Sequence, residues 1–235
     1  MSKKVLDRVA IIMPAFNESE VISETLRNIK KELKKLDEIK TDLIVVNDGS
    51  SDETYELAKK YSTVLNHLVN MGSGAATRTG LEYAKRNKYK YAVTIDADGQ
   101  HAPKDLVKII NKLLNSKFDL VVGSRMLKPG KMPINRKFGN NLLSIMTTIF
   151  MGVKVSDSQS GLKGFSRKAI EKIDIKTNGF EFCSEILWKA GRANLKIVEI
   201  PINAIYTTYS LGKGQTSINA LRIIKSIITQ KLRDV

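Results

Sequence analysis

Short apolar runs alternate with amphipathic helical patterns over the first 125 residues, and this alternation constrains the fold more than any other feature. The runs lie within residues 9–13, 43–46, 63–69, 91–95 and 118–123. Between the first two runs, apolar residues recur at spacings of 4, 3, 4 and 3 from Ile22 to Leu36, which places them on one helix face. Strands that are apolar throughout are buried on both sides. The sequence therefore predicts an α/β fold whose mostly parallel central sheet carries helices on both faces.

Polar or glycine-rich turns follow the predicted strands. They occupy residues 14–18, 47–50, 70–74 and 96–101. Ligands of open parallel sheets bind beyond the carboxyl ends of the strands, so these turns predict one shared crevice. The glycines let a backbone approach a ligand closely, and each turn leads into a helix start that favours anions. A tight strand-to-helix turn is an equally good interpretation of Gly72 and Gly74. Asn17 with Glu20, and Ser50 with Glu53, have the spacing of helix-capping pairs.

Asp96, Asp98 and Gln100 alternate after the fourth apolar run, so their side chains point to one side of an extended segment. Carboxylate and amide oxygens suit Mg²⁺ or Mn²⁺, which commonly complete their ligand shells with substrate phosphates. Such a metal neutralises the charge that builds on a leaving nucleotide. The pattern predicts a metal site. The alternative is a capped turn with solvated acids, because two acids at this spacing are common.

The charge balance is strongly basic. Among 235 residues, 39 are Lys or Arg and 24 are Asp or Glu, a net charge of +15 with a sequence pI near 9.8. Such a field attracts nucleic acid, an anionic bilayer or phosphorylated substrates, and lysine-rich solvated helix faces are the simpler interpretation. A nucleic-acid-binding domain is not predicted, because neither a helix-turn-helix nor aromatics interleaved with basic residues is found. Cys183 is the single cysteine, which excludes an internal disulfide framework and indicates a reducing compartment.

Five motifs occur in a fixed order along the chain. They are PAFNE at 14–18, VNDGSSD at 46–52, NxGxGAA at 70–76, DADGQH at 96–101 and GSR at 123–125. In this combination the chain resembles glycosyltransferase family 2, whose members have the GT-A fold, over roughly residues 8–220. The closer resemblance is to the polyprenol-phosphate sugar transferases of that family.

The resemblance implies a glycosyltransferase that moves a hexose from a UDP- or GDP-linked sugar to a polyprenyl or dolichyl phosphate. It further implies a Mg²⁺ or Mn²⁺ ion and inversion at the anomeric carbon. The residues that it assigns to the nucleoside are Pro14, Phe16, Glu18, Val46, Asp48, Asp96 and Ala97. It assigns the metal to Asp98 and Gln100, and Arg125 to the donor phosphates. It assigns Arg136 to the acceptor phosphate, and Lys213 to a loop that closes over the diphosphate.

Three departures from the family pattern leave the nucleotide and the sugar open. Phe16 stands where the synthases often have Tyr, and Ser73 replaces a basic residue between the two glycines. The segment at 210–213 lacks the arginine that is typical of mannose synthases.

Two acceptors are compatible with this donor site. A lipid phosphate is already anionic near neutral pH and needs no general base. A sugar hydroxyl, on a glycan or a lipid-linked glycan, needs a carboxylate that takes its proton, and Asp157 is the candidate. The basic cluster at 128–137 favours the anionic acceptor, and an ordinary Asp in a serine-rich turn is the simpler interpretation of Asp157. His67 is expected to be structural. His101 is either a group near the metal or a helix-start residue.

Two apolar stretches fit a lipid-borne acceptor. One lies within residues 142–151, and the other is a basic amphipathic pattern within residues 217–233. The sequence predicts a GT-A domain at 1–212 and a loop with an amphipathic helix at 213–235, peripheral at the cytoplasmic face of the cell membrane. That helix could equally pack on the domain or on a second subunit. A homo-oligomer or a separate membrane partner therefore stays open. No run of about 18 apolar residues occurs, so no membrane span is expected.

Overall fold

The computed structural model describes residues 6–128, 132, 134–203 and 205. Its strands are β1 (Asp7–Ala15), β2 (Ile39–Asp48), β3 (Thr63–His67), β4 (Tyr91–Thr94), β5 (Leu120–Ser124), β6 (Lys163–Ser166) and β7 (Ile197–Pro201). Its helices are α1 (Ile22–Leu33), α2 (Thr54–Ala58), α3 (Ser73–Arg86), α4 (Pro103–Leu114), α5 (Ile134–Met151), α6 (Arg167–Lys172) and α7 (Phe182–Arg192). The predicted domain boundary at 212/213 and the predicted C-terminal helix lie outside the described residues.

The strands form one sheet in the order β3-β2-β1-β4-β6-β5-β7. Every neighbouring pair is parallel except the two that β6 makes with β4 and β5. The prediction of a mostly parallel sheet is therefore confirmed, whereas the reversed direction of β6 was not predicted. Among the described strands, β7 pairs with β5 alone. It is therefore an edge strand, where a proline such as Pro201 is tolerated.

Helices cover both faces of the sheet, as predicted. Successive residues of a strand point to opposite faces, and in β1 Val9, Ile11 and Met13 join the core that contains α1 and α4. Ala10 and Ile12 join the other core, which contains α3, α6 and α7. Because both faces are covered, the middle of β1 has no solvent side, which explains the unbroken apolar run at residues 9–13.

Helix α5 packs on α7. Leu143, Ser144 and Thr147 are buried. The opposite side carries exposed apolar residues. None of the helices in the described part of the chain has the length and apolar character that a membrane crossing requires.

The predicted capping pairs at the starts of α1 and α2 are wrong. Helix α1 begins after Val21 and α2 after Glu53, and neither has a side-chain cap from its N-cap residue. Asn17 has a positive φ of 52° and bonds instead to the turn after β2. Asp52 takes the role predicted for Ser50, because its carboxylate accepts from the backbone N–H of Thr54 at 3.0 Å.

Candidate active site

The turns after β1 and β2 are tied together at the carboxyl edge of the sheet. The backbone N–H of Asn17 donates to Ser50 Oγ at 3.0 Å, and that of Glu18 donates to Thr54 Oγ1 at 2.7 Å. In return, the backbone N–H of Ser51 donates to Asn17 Oδ1 at 2.9 Å. These bonds fix the segment that carries Phe16, a residue that is 43% exposed. An aromatic surface is thus held open at the rim of the cleft.

Asp48 lies at the end of β2 and is almost completely buried. Its Oδ1 accepts from the backbone N–H of Met71 at 3.0 Å and lies 2.6 Å from His67 Nδ1. Its Oδ2 accepts from the backbone N–H of Gly72 at 2.7 Å. The carboxylate therefore holds the turn after β3 against the end of β2.

The glycines of that turn make room for the chain's own backbone. Gly72 has a φ of 98°, and a side chain on Gly72 or Gly74 would overlap backbone atoms of Thr177 and Asn178. The backbone N–H of Gly74 donates to the carbonyl oxygen of Asn178 at 2.7 Å. The start of α3 is thereby capped from within the chain, which supports the packing interpretation of these glycines rather than close approach to a ligand.

The two acids after β4 differ in their surroundings. Asp96 Oδ2 lies 3.1 Å from His101 Nε2, and the His101 side chain is only 3% exposed. Withdrawal from water acts to raise the pKa of Asp96. The hydrogen bond from His101 and the charges of His101, Arg125 and Lys163 outweigh it, so that the pKa of Asp96 is lowered. For Asp98, withdrawal from water and repulsion by Asp96 raise the pKa above its usual value. The pKa of one acid of the pair is therefore lowered and that of the other is raised.

The surroundings of Asp98 fit a divalent cation. Gln100 donates to both of its oxygens, from the backbone N–H at 2.9 Å and from Nε2 at 2.6 Å. A cation bound beside Asp98 would remove the repulsion between the two carboxylates, which is one cause of the raised pKa of Asp98. Within the described residues, no cluster of three or more His, Cys, Asp or Glu side chains forms a metal site by itself. A metal at Asp98 would thus take most of its ligands from substrate and water, as Mg²⁺ commonly does.

Arg125, directly after β5, is clamped by Asp157. Its Nε donates to Asp157 Oδ2 at 2.7 Å, and its Nη2 donates to Oδ1 at 2.8 Å. The backbone N–H of Arg125 donates to Oδ2 as well, at 3.0 Å. Burial acts to raise the pKa of Asp157, but the charge and hydrogen bonds of Arg125 outweigh it and lower the pKa. Asp157 is fully buried, which is the geometry of an ion pair rather than of a base that meets an acceptor.

Glu199, on the edge strand β7, holds the segment that carries Asp157. Its carboxylate accepts from the backbone N–H of Ser156 at 2.8 Å and from that of Asp157 at 3.2 Å. Ser156 Oγ donates to Glu199 at 3.0 Å and lies 2.6 Å from Ser124 Oγ. The end of β5, the segment at 156–157 and β7 therefore form one hydrogen-bonded unit around Arg125.

Lys163 places a buried positive charge behind these acids. It begins β6, is fully buried and donates through Nζ to the carbonyl oxygen of Ser160. Its charge lowers the pKa of both Asp96 and Asp157. Gly161, two residues earlier, lies so close to Asp96 that a methyl group there would overlap its carboxylate. The reversed strand β6 therefore places a positive charge near the acids, and the segment just before it lies in close contact with Asp96.

The structure brings together most of the residues assigned from the sequence. Asp96, Asp98, Arg125 and Asp157 interact with one another directly or in a chain. The side chain of Val46 is fully buried in the core, so its backbone is the part that can meet a ligand. Of the further assigned residues, Pro14 lies at the end of β1, and Phe16, Glu18 and Ala97 lie in the turns that follow β1 and β4. The side chain of Arg136 and all of Lys213 lie outside the described residues.

Sequence reasoning missed two residues of the site, Lys163 and Glu199, and one contact, the link from His67 to Asp48. Lys163 carried a signal, since a lysine inside an otherwise apolar strand pattern requires a buried partner. Glu199 also interrupts an apolar strand. Ser156 and Asp157, the partners of Glu199, lie 43 and 42 residues away in the chain. Asp96, whose pKa Lys163 lowers, follows the neighbouring strand β4. Spacing alone could therefore not identify these partners.

A comparison of the chain with models of protein families agrees with the fold and the site described above. The model for glycosyl transferase family 2 matches residues 10–174, which is more than half of the chain. The chain therefore belongs to glycosyltransferase family 2 and is a glycosyltransferase, and the resemblance drawn from its motifs is confirmed.

Relatives of similar length extend over almost the whole chain. An uncharacterized protein of Methanocaldococcus jannaschii is 40% identical, covering 96% of this chain and 93% of the relative. The UDP-N-acetylglucosamine–dolichyl-phosphate N-acetylglucosaminyltransferase of Methanococcus voltae is 35% identical, covering 97% of each. The glucosyl-3-phosphoglycerate synthase of Mycobacterium tuberculosis, solved with Mn²⁺, UDP and its product, superposes with a TM-score of 0.71 at 18% identity, covering 94% of this chain and 77% of that one. The last likeness confirms the GT-A fold.

Proposed function

We propose that the chain transfers a hexose from a UDP- or GDP-linked sugar to a polyprenyl phosphate, with inversion and with Mg²⁺ or Mn²⁺. The observation that carries this proposal is the cluster of charged groups that follows β4 and β5. Asp98 has a raised pKa, and Arg125, which Asp157 clamps, lowers the pKa of the neighbouring Asp96. The dolichyl-phosphate transferase of Methanococcus voltae, similar over nearly its full length, supports the choice of acceptor.

The described residues would have separate roles in binding the donor. Phe16, Glu18, Asp48 and the backbone near Val46 would bind the nucleoside, with Pro14, Asp96 and Ala97 beside it. Asp98 and Gln100 would hold the metal, which neutralises the charge on the leaving diphosphate when bound. Because Asp157 fixes the plane of its guanidinium, Arg125 would meet a donor phosphate in one orientation.

A phosphate acceptor suits the state of Asp157. The phosphate is already anionic, so attack on the anomeric carbon requires no proton acceptor. Asp157 is fully buried and paired with Arg125 through both oxygens, so its role here is to position Arg125. We propose that Arg136 binds the acceptor phosphate and that Lys213 closes over the diphosphate.

We propose a peripheral position at the cytoplasmic face of the membrane, and the exposed side of α5 supports contact with a membrane surface. Its apolar stripe consists of Phe138, Leu142, Ile145 and Ile149, which are 73%, 43%, 46% and 63% exposed. Their spacing of 4, 3 and 4 places them on one helix face. Lys137 and Lys154 near the two ends are exposed, so an anionic surface would meet both charge and apolar area.

The test is a transfer assay with a panel of nucleotide-sugars and a polyprenyl phosphate, with Mn²⁺ or with a chelator. Asp98→Asn removes the charge at the metal position and should lower turnover by about 100-fold or more. Asp37→Asn, an exposed acid between α1 and β2, is the matched control and should keep wild-type turnover. Wild-type turnover of Asp98→Asn would overturn the metal assignment. Absence of transfer from every sugar nucleotide would overturn the proposal.

A further inference from the structure

His67 joins two elements beside the proposed nucleoside position. Its Nδ1 lies 2.6 Å from Asp48 Oδ1, and its Nε2 lies 2.9 Å from Thr79 Oγ1. A carboxylate only accepts, so Nδ1 carries the hydrogen of the first bond. The side chains of His67 and Asp48 are 11% and 4% exposed. Protein groups rather than water therefore set the orientation of both.

The sheet and the following helix hold the ring from two sides. Asp48 and His67 are register partners at the ends of β2 and β3, and Thr79 lies in the second turn of α3. A hydroxyl donates or accepts, so Thr79 can satisfy Nε2 whether or not it carries a hydrogen. The ring is thus fixed in one orientation, and it fixes Asp48 in turn.

The hydrogen bonds of Asp48 leave little room for a further partner. An ionised carboxylate has about four lone-pair positions. Two on Oδ1 are taken by Met71 N–H and His67, and one on Oδ2 is taken by Gly72 N–H. One position on Oδ2 is left, so a ligand can donate a single hydrogen bond to this carboxylate.

We propose that His67 is a positioning residue that restricts Asp48 to one hydrogen bond with the nucleobase and thereby selects uracil over guanine. Uracil presents one imide N–H between two carbonyl groups. Guanine presents two parallel N–H groups, which match a carboxylate only when both of its oxygens can accept. The inference rests on the proposed function, because it requires a nucleotide-sugar donor in this cleft.

The test measures the Kd of UDP and of GDP by titration calorimetry with Mn²⁺. The wild type should bind UDP at least about tenfold more tightly than GDP, equivalent to ~1.4 kcal/mol. His67→Leu frees a position on Oδ1 and lets the carboxylate rotate, so UDP binding should weaken about tenfold and the preference should disappear. His67→Asn should restore much of the preference, because its amide nitrogen lies as many bonds from the backbone as Nδ1.

Asn66→Ala is the matched control on the same strand. It removes a comparable cross-strand bond, from Asn47 Nδ2 to Asn66 Oδ1 at 2.5 Å, and should leave the UDP-to-GDP ratio unchanged. An unchanged ratio in His67→Leu, or equal binding of both nucleotides by the wild type, overturns the inference and leaves the transferase proposal standing. Binding of neither nucleotide overturns both. If His67→Leu does not fold, Thr79→Val loosens the ring and carries the same comparison.

Discussion

At the residue scale, the site depends on charged side chains that form ion pairs with each other. Arg125 and Asp157 form a bidentate ion pair whose acid is fully buried. Removing one member of such a pair leaves the other charge without compensation, which costs more than the pair itself contributes.

We therefore expect Asp157→Asn to lower the free energy of unfolding by about 3 kcal/mol. The double variant Asp157→Asn with Arg125→Met should recover part of this loss, because no buried charge is then left alone. Urea unfolding of the wild type, both single variants and the double variant measures the coupling. Strict additivity of the two single effects would contradict the ion pair.

The residues of the site that a sequence can reveal are those in local patterns. Asp96, Asp98 and Gln100 were predicted because their alternation after an apolar run is visible within six residues. The partner of Arg125 was not predicted, since Asp157 lies 32 residues further along the chain. The sequence is compatible with Asp157 as a base or as a turn residue, and only the fold shows what it pairs with.

At the element scale, side-chain hydrogen bonds outside the helices determine where helices begin. Asp52 accepts from the backbone N–H and hydroxyl of Thr54, and from the backbone N–H of Ser19 at 3.1 Å. Withdrawal from water acts to raise the pKa of Asp52, but these bonds outweigh it and lower the pKa to about 2. One acid thus starts α2 and holds the turn before α1.

This link predicts a pH dependence of stability. Because the pKa of Asp52 is lowered on folding, its contribution is complete above about pH 4 and is lost as the pH falls toward about 2. Asp52→Ala should lower the free energy of unfolding by about 1 kcal/mol at pH 7. The difference from the wild type should shrink between pH 4 and 2 in urea titrations. A difference that stays constant with pH would contradict the assignment, and Asp37→Ala should show no such difference.

The start of α3 was predicted correctly from the sequence, but the group that caps it was not. The glycine turn at 70–74 was predicted to precede a helix, and α3 begins at Ser73. Its cap comes from the carbonyl oxygen of Asn178. The loop that carries Asn178 is held by Glu185, which accepts from the backbone N–H groups of Lys176 and Thr177 at 2.8 Å each. A contact across 100 residues leaves no local pattern in the sequence.

At the scale of the whole molecule, the basic net charge and the apolar stripe on α5 would both contribute to binding an anionic membrane surface. The net charge of +15 acts at long range and the stripe acts on contact. Charge attraction to an anionic surface weakens with salt, whereas apolar insertion does not weaken in the same way.

Replacing Phe138 and Ile149 together with Ser should therefore weaken binding to vesicles of anionic phospholipid by at least about tenfold. Sedimentation with vesicles at low and at moderate salt measures both contributions. Asn141→Ser, an exposed polar position on the same helix, is the control and should bind as the wild type does. Equal binding of the double variant and the wild type would show that α5 does not meet the bilayer.

The order of the strands also determines when each half of the cleft can be built during synthesis. Strands β1 to β4 find partners among themselves, so the half that carries Asp48, Asp96 and Asp98 can pair once residue 94 has been made. Strand β5 pairs only with β6 and β7 among the described strands, and both come later in the chain. Arg125 can therefore take its place only after β6 has been made, and Glu199 completes the hydrogen-bonded unit around it later still. A nascent chain stopped before residue 163 would present β4 with an unpaired apolar edge, the state in which aggregation begins.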